Sequence, residues 1–467
     1  MSRVLVGIFI VVLSGCQCGP LTEADAGQDA GLAVDSGTGD AGPVCGPEIC
    51  DGIDNDCDGT VDLAPNGSAL VQLCPLQLGT CQGASVRCEG GKYPSCVPEY
   101  GPKYEELESL CDGVDNDCNG VVDVSQWRPL GEVGAKMPSA VSVPGGWYVA
   151  TGISGQMFDE QLRPTSELFL VGHPGETNAR ASAPIVFGGY LNQVFNAFPN
   201  PALTYLRRLN LDGTYPTVPD GGPLEFTLVP NSTVPSSQGV LRANSDQSTM
   251  LVAFARTSGA TARQEVLTVW PDGGTRAQLT KIGDTGWQGY ESAAVGTENF
   301  VIALSYESRL QLQLYSPELV ALGPTVDLAT PGESRLCSVS TETLGVNAGI
   351  DSVLAVCADE RHLYAAGNVY AGGTLTPFWE IDAGTISEVH VLPSYARATV
   401  FWTQVRAGLP STLWMTQVNG PPVAIAEFQP AATGVDFASS IRGGYLIEAL
   451  LDGGQGLRPY GAYVCPL

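Results

Sequence analysis

The stretch ENFVIALS, residues 298–305, is one of seven short apolar runs that recur in the chain from residue 127 onward. The runs begin at residues 145, 191, 248, 298, 351, 396 and 443, so successive starts lie 45 to 57 residues apart. Most are followed by a second apolar run and a turn such as PDGG at residue 271. Units of about 40–50 residues with four strands each are typical of β-propeller blades. The sequence therefore predicts a mainly β fold, with a seven-bladed propeller over residues 127–467.

Closure of this ring requires a strand from the beginning of the domain. Too few residues follow Leu451 for a complete last blade, and WRPLGEV at 127–133 is predicted to supply the missing outer strand. A pair of tandem β-sandwiches is the alternative fold. Cys337 and Cys357 fall on adjacent predicted strands of one blade, which indicates a disulfide, whereas Cys465 has no predicted partner.

The N-terminus resembles the export signal of bacterial lipoproteins. Arg3 precedes a ten-residue apolar run, and LSGC at 13–16 is similar to a lipobox. The run is too short to span a bilayer. The resemblance implies a signal peptide over 1–15, acylation of Cys16, and a lipid-anchored protein of the cell envelope; an ordinary secretory signal is the alternative. Residues 16–43 are rich in Ala, Gly and Asp and predict a flexible acidic tether.

Negative charge is concentrated near the N-terminus. The net charge is −27, and residues 1–126 carry 20 acidic and 4 basic side chains. Nucleic acid is disfavoured as a partner because phosphate contacts need clustered Lys and Arg. The acidic excess favours cations or cationic partners.

Cysteines are concentrated in the same region, since eleven of the 14 precede residue 126. This density in an exported chain predicts a disulfide-stabilised module over residues 44–126. Zinc is disfavoured because no C-x-x-C pair occurs. Nine cysteines lie in the module, so one must pair outside it or remain free, and the connectivity stays open. The candidates are Cys45, Cys50, Cys57, Cys74, Cys81, Cys88, Cys96, Cys111 and Cys118, together with Cys337 and Cys357 of the propeller.

Two acidic repeats lie inside the module, CDGIDNDCDGTVD at 50–62 and CDGVDNDCNGVVD at 111–123. Each contains D-x-D-x-[DN]-G, the opening of an EF-hand-type calcium loop. Ca²⁺ takes six to eight oxygen ligands, and the glycine permits the sharp bend. The repeats predict two Ca²⁺ sites, with Thr60 and Val121 contributing only their carbonyls. The predicted ligands are Asp54, Asp56, Asp58, Thr60 and Asp62 in the first loop, and Asp115, Asp117, Asn119, Val121 and Asp123 in the second.

Both loops depart from an EF-hand at their twelfth position, where Pro65 and Gln126 replace the bidentate glutamate. No amphipathic helices flank them. We expect water, Asp51 or Asp112 to complete the sites, with affinity reduced toward about 10⁻⁴–10⁻³ M.

The shared pattern resembles the MopE-type metal-binding repeats of bacterial surface proteins, and GTCQGASVRCEGGKYPSC at 79–96 is similar to the linker of such arrays. The family is associated with copper. Copper is less favoured here, because hard carboxylates suit Ca²⁺ and the three histidines, His173, His362 and His390, all lie outside the module.

The sequence predicts a non-enzymatic calcium-binding lipoprotein whose propeller is a platform for an unidentified protein or glycan. Its membrane contact is predicted to be the lipid anchor alone. G-x-S-x-G, H-E-x-x-H and P-loop motifs are absent from the sequence. Two alternatives stay open: a hydrolytic, carbohydrate-active propeller with paired carboxylates in its channel, and a metal-sequestering surface protein.

Overall fold

The fold is described by a computed structural model. The predicted signal peptide, Cys16, the predicted tether and His173 lie outside the described residues. The described residues are 45–108, 110–132, 136, 138–172, 180–197, 203–216, 224–229, 240–244, 246–258, 261–280, 289–295, 298–330, 336–341, 352–393, 397–428, 435–439, 444–452 and 456–465.

Seven antiparallel sheets form a ring, which confirms the predicted seven-bladed β-propeller over the tandem-sandwich alternative. The first strands of neighbouring blades contact one another, which places these strands around the ring axis. Two short strands share the first position in blade 2. In chain order, blades 1 to 3 consist of β4 Pro138–Val143, β5 Gly146–Thr151, β6 Ser154–Asp159 and β7 Phe169–Leu170; β8 Arg180–Ala181, β9 Ile185–Phe187, β10 Tyr190–Ala197, β11 Leu203–Leu209 and β12 Leu224–Val229; and β13 Val240–Ala243, β14 Met250–Ser258, β15 Thr261–Val269 and β16 Thr275–Thr280.

Blade 2 thus has five strands, and each of blades 4 to 7 has four. Blades 4 to 6 consist of β17 Gly289–Val295, β18 Asn299–Ser305, β19 Arg309–Tyr315 and β20 Ala321–Ala329; β21 Leu336–Thr341, β22 Val353–Ala358, β23 His362–Ala366 and β24 Thr376–Glu380; and β25 Thr385–Leu392, β26 Thr399–Val405, β27 Ser411–Gln417 and β28 Val423–Phe428. Blade 7 consists of β29 Val435–Ser439, β30 Tyr445–Asp452, β31 Leu457–Val464 and β3 Arg128–Pro129.

The cysteine-rich module has little regular structure. It contains one two-stranded sheet, β1 Val71–Leu73 with β2 Ser85–Arg87, and 3-10 turns at Gly79–Cys81 and Val97–Tyr100. A third 3-10 turn, Val369–Ala371, lies in blade 5. Among the described residues no helix is long and apolar enough to span a membrane.

The apolar runs are continuous because the second strand of a blade is buried on both faces. In β18, Val301 and Ala303 pack with residues of blade 5, whereas Phe300, Ile302 and Leu304 pack with residues of blade 3. Comparable hydrophobic clusters lie between each pair of adjacent blades. Because burial of apolar surface is the main favourable term in folding, these seven clusters form the core of the ring.

Ring closure follows the predicted scheme. Strand β3 pairs antiparallel with β31 and completes blade 7, with Arg128 opposite Gly461 and Pro129 opposite Tyr460. The strand is shorter than the predicted segment 127–133, and Val133 lies outside the described residues. The first and last strands of the domain therefore share one blade.

Six disulfides join all eleven candidate cysteines and Cys465. Cys337 and Cys357 pair across β21 and β22, as predicted. Cys111 is the one cysteine of the module whose partner lies outside it, and it bonds to Cys465 over a separation of 354 residues. The four bonds within the module are Cys45–Cys57, Cys50–Cys88, Cys74–Cys96 and Cys81–Cys118.

Candidate metal centre

The two acidic loops have the same backbone conformation. Cys57 and Cys118 have φ angles of 61° and 62°, and Asp62 and Asp123 both have φ of 57°. A residue other than glycine is uncommon in this left-handed region. Its occurrence at equivalent positions indicates that each loop is held in one shape by its surroundings.

The first aspartate of each loop organises the bend. Asp54 accepts hydrogen bonds from the backbone N–H groups of Asp58, at 3.1 Å, and Gly59, at 3.0 Å. Asp115 makes the equivalent bonds in the second loop. Hydrogen bonds from the loop backbone therefore fix the position of both carboxylates.

The segment between the repeats supports both loops. The backbone of Gly79 lies so close to Asp115 that a Cβ there would be 2.1 Å from the Asp115 carbonyl oxygen. Thr80 N–H donates to the same oxygen at 3.0 Å. Gly91 similarly packs against Gly52, where a Cβ on Gly91 would lie 2.9 Å from the Gly52 nitrogen. Only glycine permits these approaches.

A glutamate upstream of each loop has its carboxylate close to those of the first two aspartates of that loop. Carboxylate oxygens of Glu48, Asp54 and Asp56 lie within 4.8 Å of one another, and those of Glu108, Asp115 and Asp117 do the same. Glu48 is also anchored by the N–H groups of the first loop, and Glu108 accepts from Asp117 N–H and from Asn116 N–H at 2.8 Å. Sequence reasoning missed these glutamates, because it looked for the extra carboxylate at the twelfth loop position and then at Asp51 and Asp112 inside the repeats.

The remaining predicted ligands make other contacts. Asp62 Oδ1 accepts from the N–H groups of Asp51 and Gly52, and Asp123 Oδ1 accepts from Gly113 N–H, so both cap the turn that begins each repeat. The structure does not bring them into the glutamate clusters. Asp58 accepts from Thr60 and is also outside the first cluster. Asn119 accepts from Val121 N–H, and its Nδ2 donates to Asp117 Oδ2 at 3.2 Å, so it lies beside the second cluster.

A third group, Cys50, Asp62 and Cys88, has its two sulfurs joined in a disulfide and offers no thiolate. Asp51 and Asp112 also serve the turns, where they accept from the N–H groups of Ile53 and Val114. The carboxylate that joins each cluster is thus the upstream glutamate.

The second cluster is buried, and this separates it from the half-buried first cluster. Glu108 is 0 %, Asp115 5 % and Asp117 1 % exposed. Glu108 Oε1 has no hydrogen-bond partner, nor does Oδ1 of the neighbouring Asn116. A buried acceptor without a partner costs about 1–3 kcal/mol, and more when it is charged. A cation bound among the three carboxylates would provide a partner for Glu108 Oε1, so the residues present fit a metal ion.

Burial changes the acidity of this cluster. It raises the pKa of Glu108 to about 7, against the opposing effect of the N–H groups of Asn116 and Asp117 and with a further increase from the charge of Asp117. Burial likewise raises the pKa of Asp117 to about 6, with a smaller contribution from Asp115. Ionisation of Glu108 and Asp117 in this environment therefore has an energetic cost.

The ligand chemistry of both clusters is that of hard cations. Every candidate donor is a carboxylate oxygen, and the cysteines of the module form disulfides. Ca²⁺ and Mg²⁺ prefer oxygen ligands, whereas copper sites use imidazole or sulfur more often.

Two stretches match the family profile of MopE-type repeats, described as "Putative metal-binding motif", at residues 46–62 and 105–123. Both matched stretches include the upstream glutamate. No curated protein sequence is significantly similar to the chain.

Solved structures are similar to this chain at low sequence identity. The Dos1 propeller has 10% identity and a TM-score of 0.43 over 71% of this chain and 78% of its own. The WD40 domain of SCAP from fission yeast has 10% identity and a TM-score of 0.39, over 73% and 87%. AofleA from Arthrobotrys oligospora has 10% identity and a TM-score of 0.40, over 59% and 80%. These values carry no conclusion about function.

The raised pKa of Glu108 predicts a pH-dependent cost in the cation-free protein. Neutral Glu108 stabilises the fold below its ordinary pKa of 4.5, and this contribution is lost as pH rises through about 7. In chelator at pH 8, Glu108→Gln should therefore unfold at a higher temperature than the wild type, and the difference should shrink toward pH 5. Thermal unfolding at both pH values measures this; a less stable Glu108→Gln at pH 8 would contradict it.

Proposed function

We propose that this protein is a non-enzymatic, lipid-anchored protein of the cell envelope that binds two Ca²⁺ ions in its cysteine-rich module and displays the propeller as a binding platform. The observation that carries the cation-binding part is the buried cluster of Glu108, Asp115 and Asp117 with its unpartnered carboxylate oxygen. The family match at both repeats supports the same assignment.

Calcium is favoured over magnesium by the shape of the sites. Each cluster gathers three carboxylates around an acidic loop. Ca²⁺ accepts six to eight oxygens in variable geometry, whereas Mg²⁺ requires near-ideal octahedra and retains several waters. Glu48 and Glu108 supply the carboxylate that an EF-hand places at its twelfth position, so each loop receives that ligand from the upstream side.

The role of the cation is structural in this proposal. Five carboxylates lie between Cys50 and Asp62, and their mutual repulsion is reduced when a divalent ion is bound. Disulfides hold the loops when the ion is absent, so binding tightens a fold that already exists. Calcium outside the cytoplasm is plentiful enough for sites of modest affinity.

We expect calorimetric titration of the full chain, purified in detergent with its disulfides intact, to give two Ca²⁺ equivalents at about 0.15 M salt, where weak surface binding is screened. Glu48→Gln and Glu108→Gln should each remove one equivalent, because each glutamate belongs to one cluster. Cu²⁺ that binds both sites more tightly than Ca²⁺ would instead support metal sequestration. Absence of binding by either ion would refute the proposal.

Lipid anchoring has its own test. In a bacterial host, the wild-type chain should incorporate labelled palmitate and sediment with membranes, and Cys16→Ser should do neither, because the acyl chains are attached to that thiol. Cys18→Ser is the matched control, since it lies two residues away and should still be labelled. Equal labelling of Cys16→Ser and the wild type would exclude Cys16 as the attachment site.

A further inference from the structure

The second acidic loop continues directly into the seam that closes the propeller. Cys465 N–H donates to the carbonyl of Asp123 at 2.9 Å, and Ser125 N–H donates to the carbonyl of Tyr463 at 2.8 Å. Tyr463 N–H returns a bond to Ser125 Oγ at 2.7 Å, and Val124 forms a β-bridge with Val464. Strand β3 follows two residues later. Residues 123–129, called here the seam segment, thus run antiparallel to β31.

A candidate cation ligand holds this segment. Asp117 Oδ2 accepts from Gln126 N–H at 2.9 Å, and Asn119 Nδ2 donates to the carbonyl of Val124. The Asp117 carboxylate therefore belongs to the cluster and is also bonded to the backbone of the seam segment. Any movement of this carboxylate is transmitted to that backbone through one hydrogen bond.

Residues beside the second loop are also part of the propeller core. Leu107, which directly precedes Glu108, packs in the cluster between blades 7 and 1, and Val124 packs in the cluster between blades 6 and 7. Glu106 forms ion pairs with Arg128 of β3 and with Arg163 of blade 1. The second loop is therefore attached to both blades that meet at the seam, and the Cys111–Cys465 disulfide adds a covalent link.

The first loop has different surroundings. Its described hydrogen bonds and disulfides join it to other residues of the module: Asp62 bonds to the turn at residues 51–52, Glu48 to the loop itself, and Cys50 to Cys88. Leu63 forms a local β-bridge with Ala69, whereas Val124, its equivalent after the second loop, forms a bridge with Val464 of the last strand. The repeats share a backbone shape but not a partner.

We propose that the cation at the second loop is a latch on ring closure, and that the cation at the first loop stabilises the module alone. This inference rests on the proposed cation binding. Without the ion, the repulsion among Glu108, Asp115 and Asp117 weakens the contact of the seam segment with β31. This follows because Asp117 is bonded to the seam segment and Leu107 packs between the blades beside it. With the ion bound, the same carboxylates hold the seam segment against β31.

Tryptophan emission separates the two roles, because all seven tryptophans lie at or after Trp127 and none is in the module. We expect saturating Ca²⁺ to raise the unfolding midpoint of the oxidised full chain, followed by this emission, by on the order of 5 °C relative to chelator. Glu48→Gln should retain this shift, and Glu108→Gln should lose it. Asp56→Asn and Asp117→Asn form a second matched pair with the same expectation, in case one glutamine variant fails to fold.

Calorimetry on the same samples distinguishes the possible failures. If two Ca²⁺ equivalents bind but the emission shift is absent, or is lost equally in Glu48→Gln and Glu108→Gln, the latch is wrong and the cation-binding proposal stands. If no Ca²⁺ binds, the proposed function itself fails. Loss of the shift in the second-loop variants alone, with the first site still occupied, supports the latch.

Discussion

Closure of the ring depends on the antiparallel contact between the seam segment, residues 123–129, and strand β31. A propeller of seven sheets has one place where the chain must meet its own beginning, and the hydrophobic clusters at all other blade interfaces lie between blades that follow each other in sequence. The entropic cost of joining ends more than 300 residues apart is therefore concentrated at one contact. Here that contact combines β3 pairing, side-chain burial, a disulfide and an acidic loop.

One of the two acidic clusters lies beside this contact. The acidic excess of the N-terminal quarter includes two clusters of similar chemistry, and the chain places one of them half-exposed and the other against the closing blade. Buried carboxylates do not attract one another, and burial together with the charge of a neighbouring aspartate raises the pKa of both Glu108 and Asp117. A divalent cation reverses the sign of this interaction. In the proposed scheme, the duplicated motif provides one cation site that affects the module and one that affects the ring.

The propeller was predictable because its signal is strong and local. A strand buried on both faces, such as Asn299–Ser305, contains an uninterrupted apolar run, here residues 300–304. The recurrence of such runs about every 50 residues predicts blades without any knowledge of contacts. The closing strand followed from the shortage of residues after Leu451. The alternation of aspartates around a glycine likewise identified both loops and, in each, two members of the eventual cluster.

Other features could not be predicted because they depend on long-range placement. Cys111 and Cys465 are 354 residues apart, and no local pattern links them, so their pairing follows only from the closed ring. Glu48 and Glu108 were missed because they lie six and seven residues before the first aspartate, and this offset of one residue conceals their equivalence. Burial of the second cluster depends on the packing of Leu107 and Val124 into the propeller.

A crystal structure of the chain grown with Ca²⁺, with anomalous scattering to locate the ions, is the most direct test of this account. We expect an ion at about 2.3–2.6 Å from carboxylate oxygens of Glu108, Asp115 and Asp117, with Asp117 still accepting from Gln126 N–H. An equivalent ion should lie beside Glu48. A well-ordered second loop with no ion among those three carboxylates, in crystals whose first loop is occupied, would contradict it.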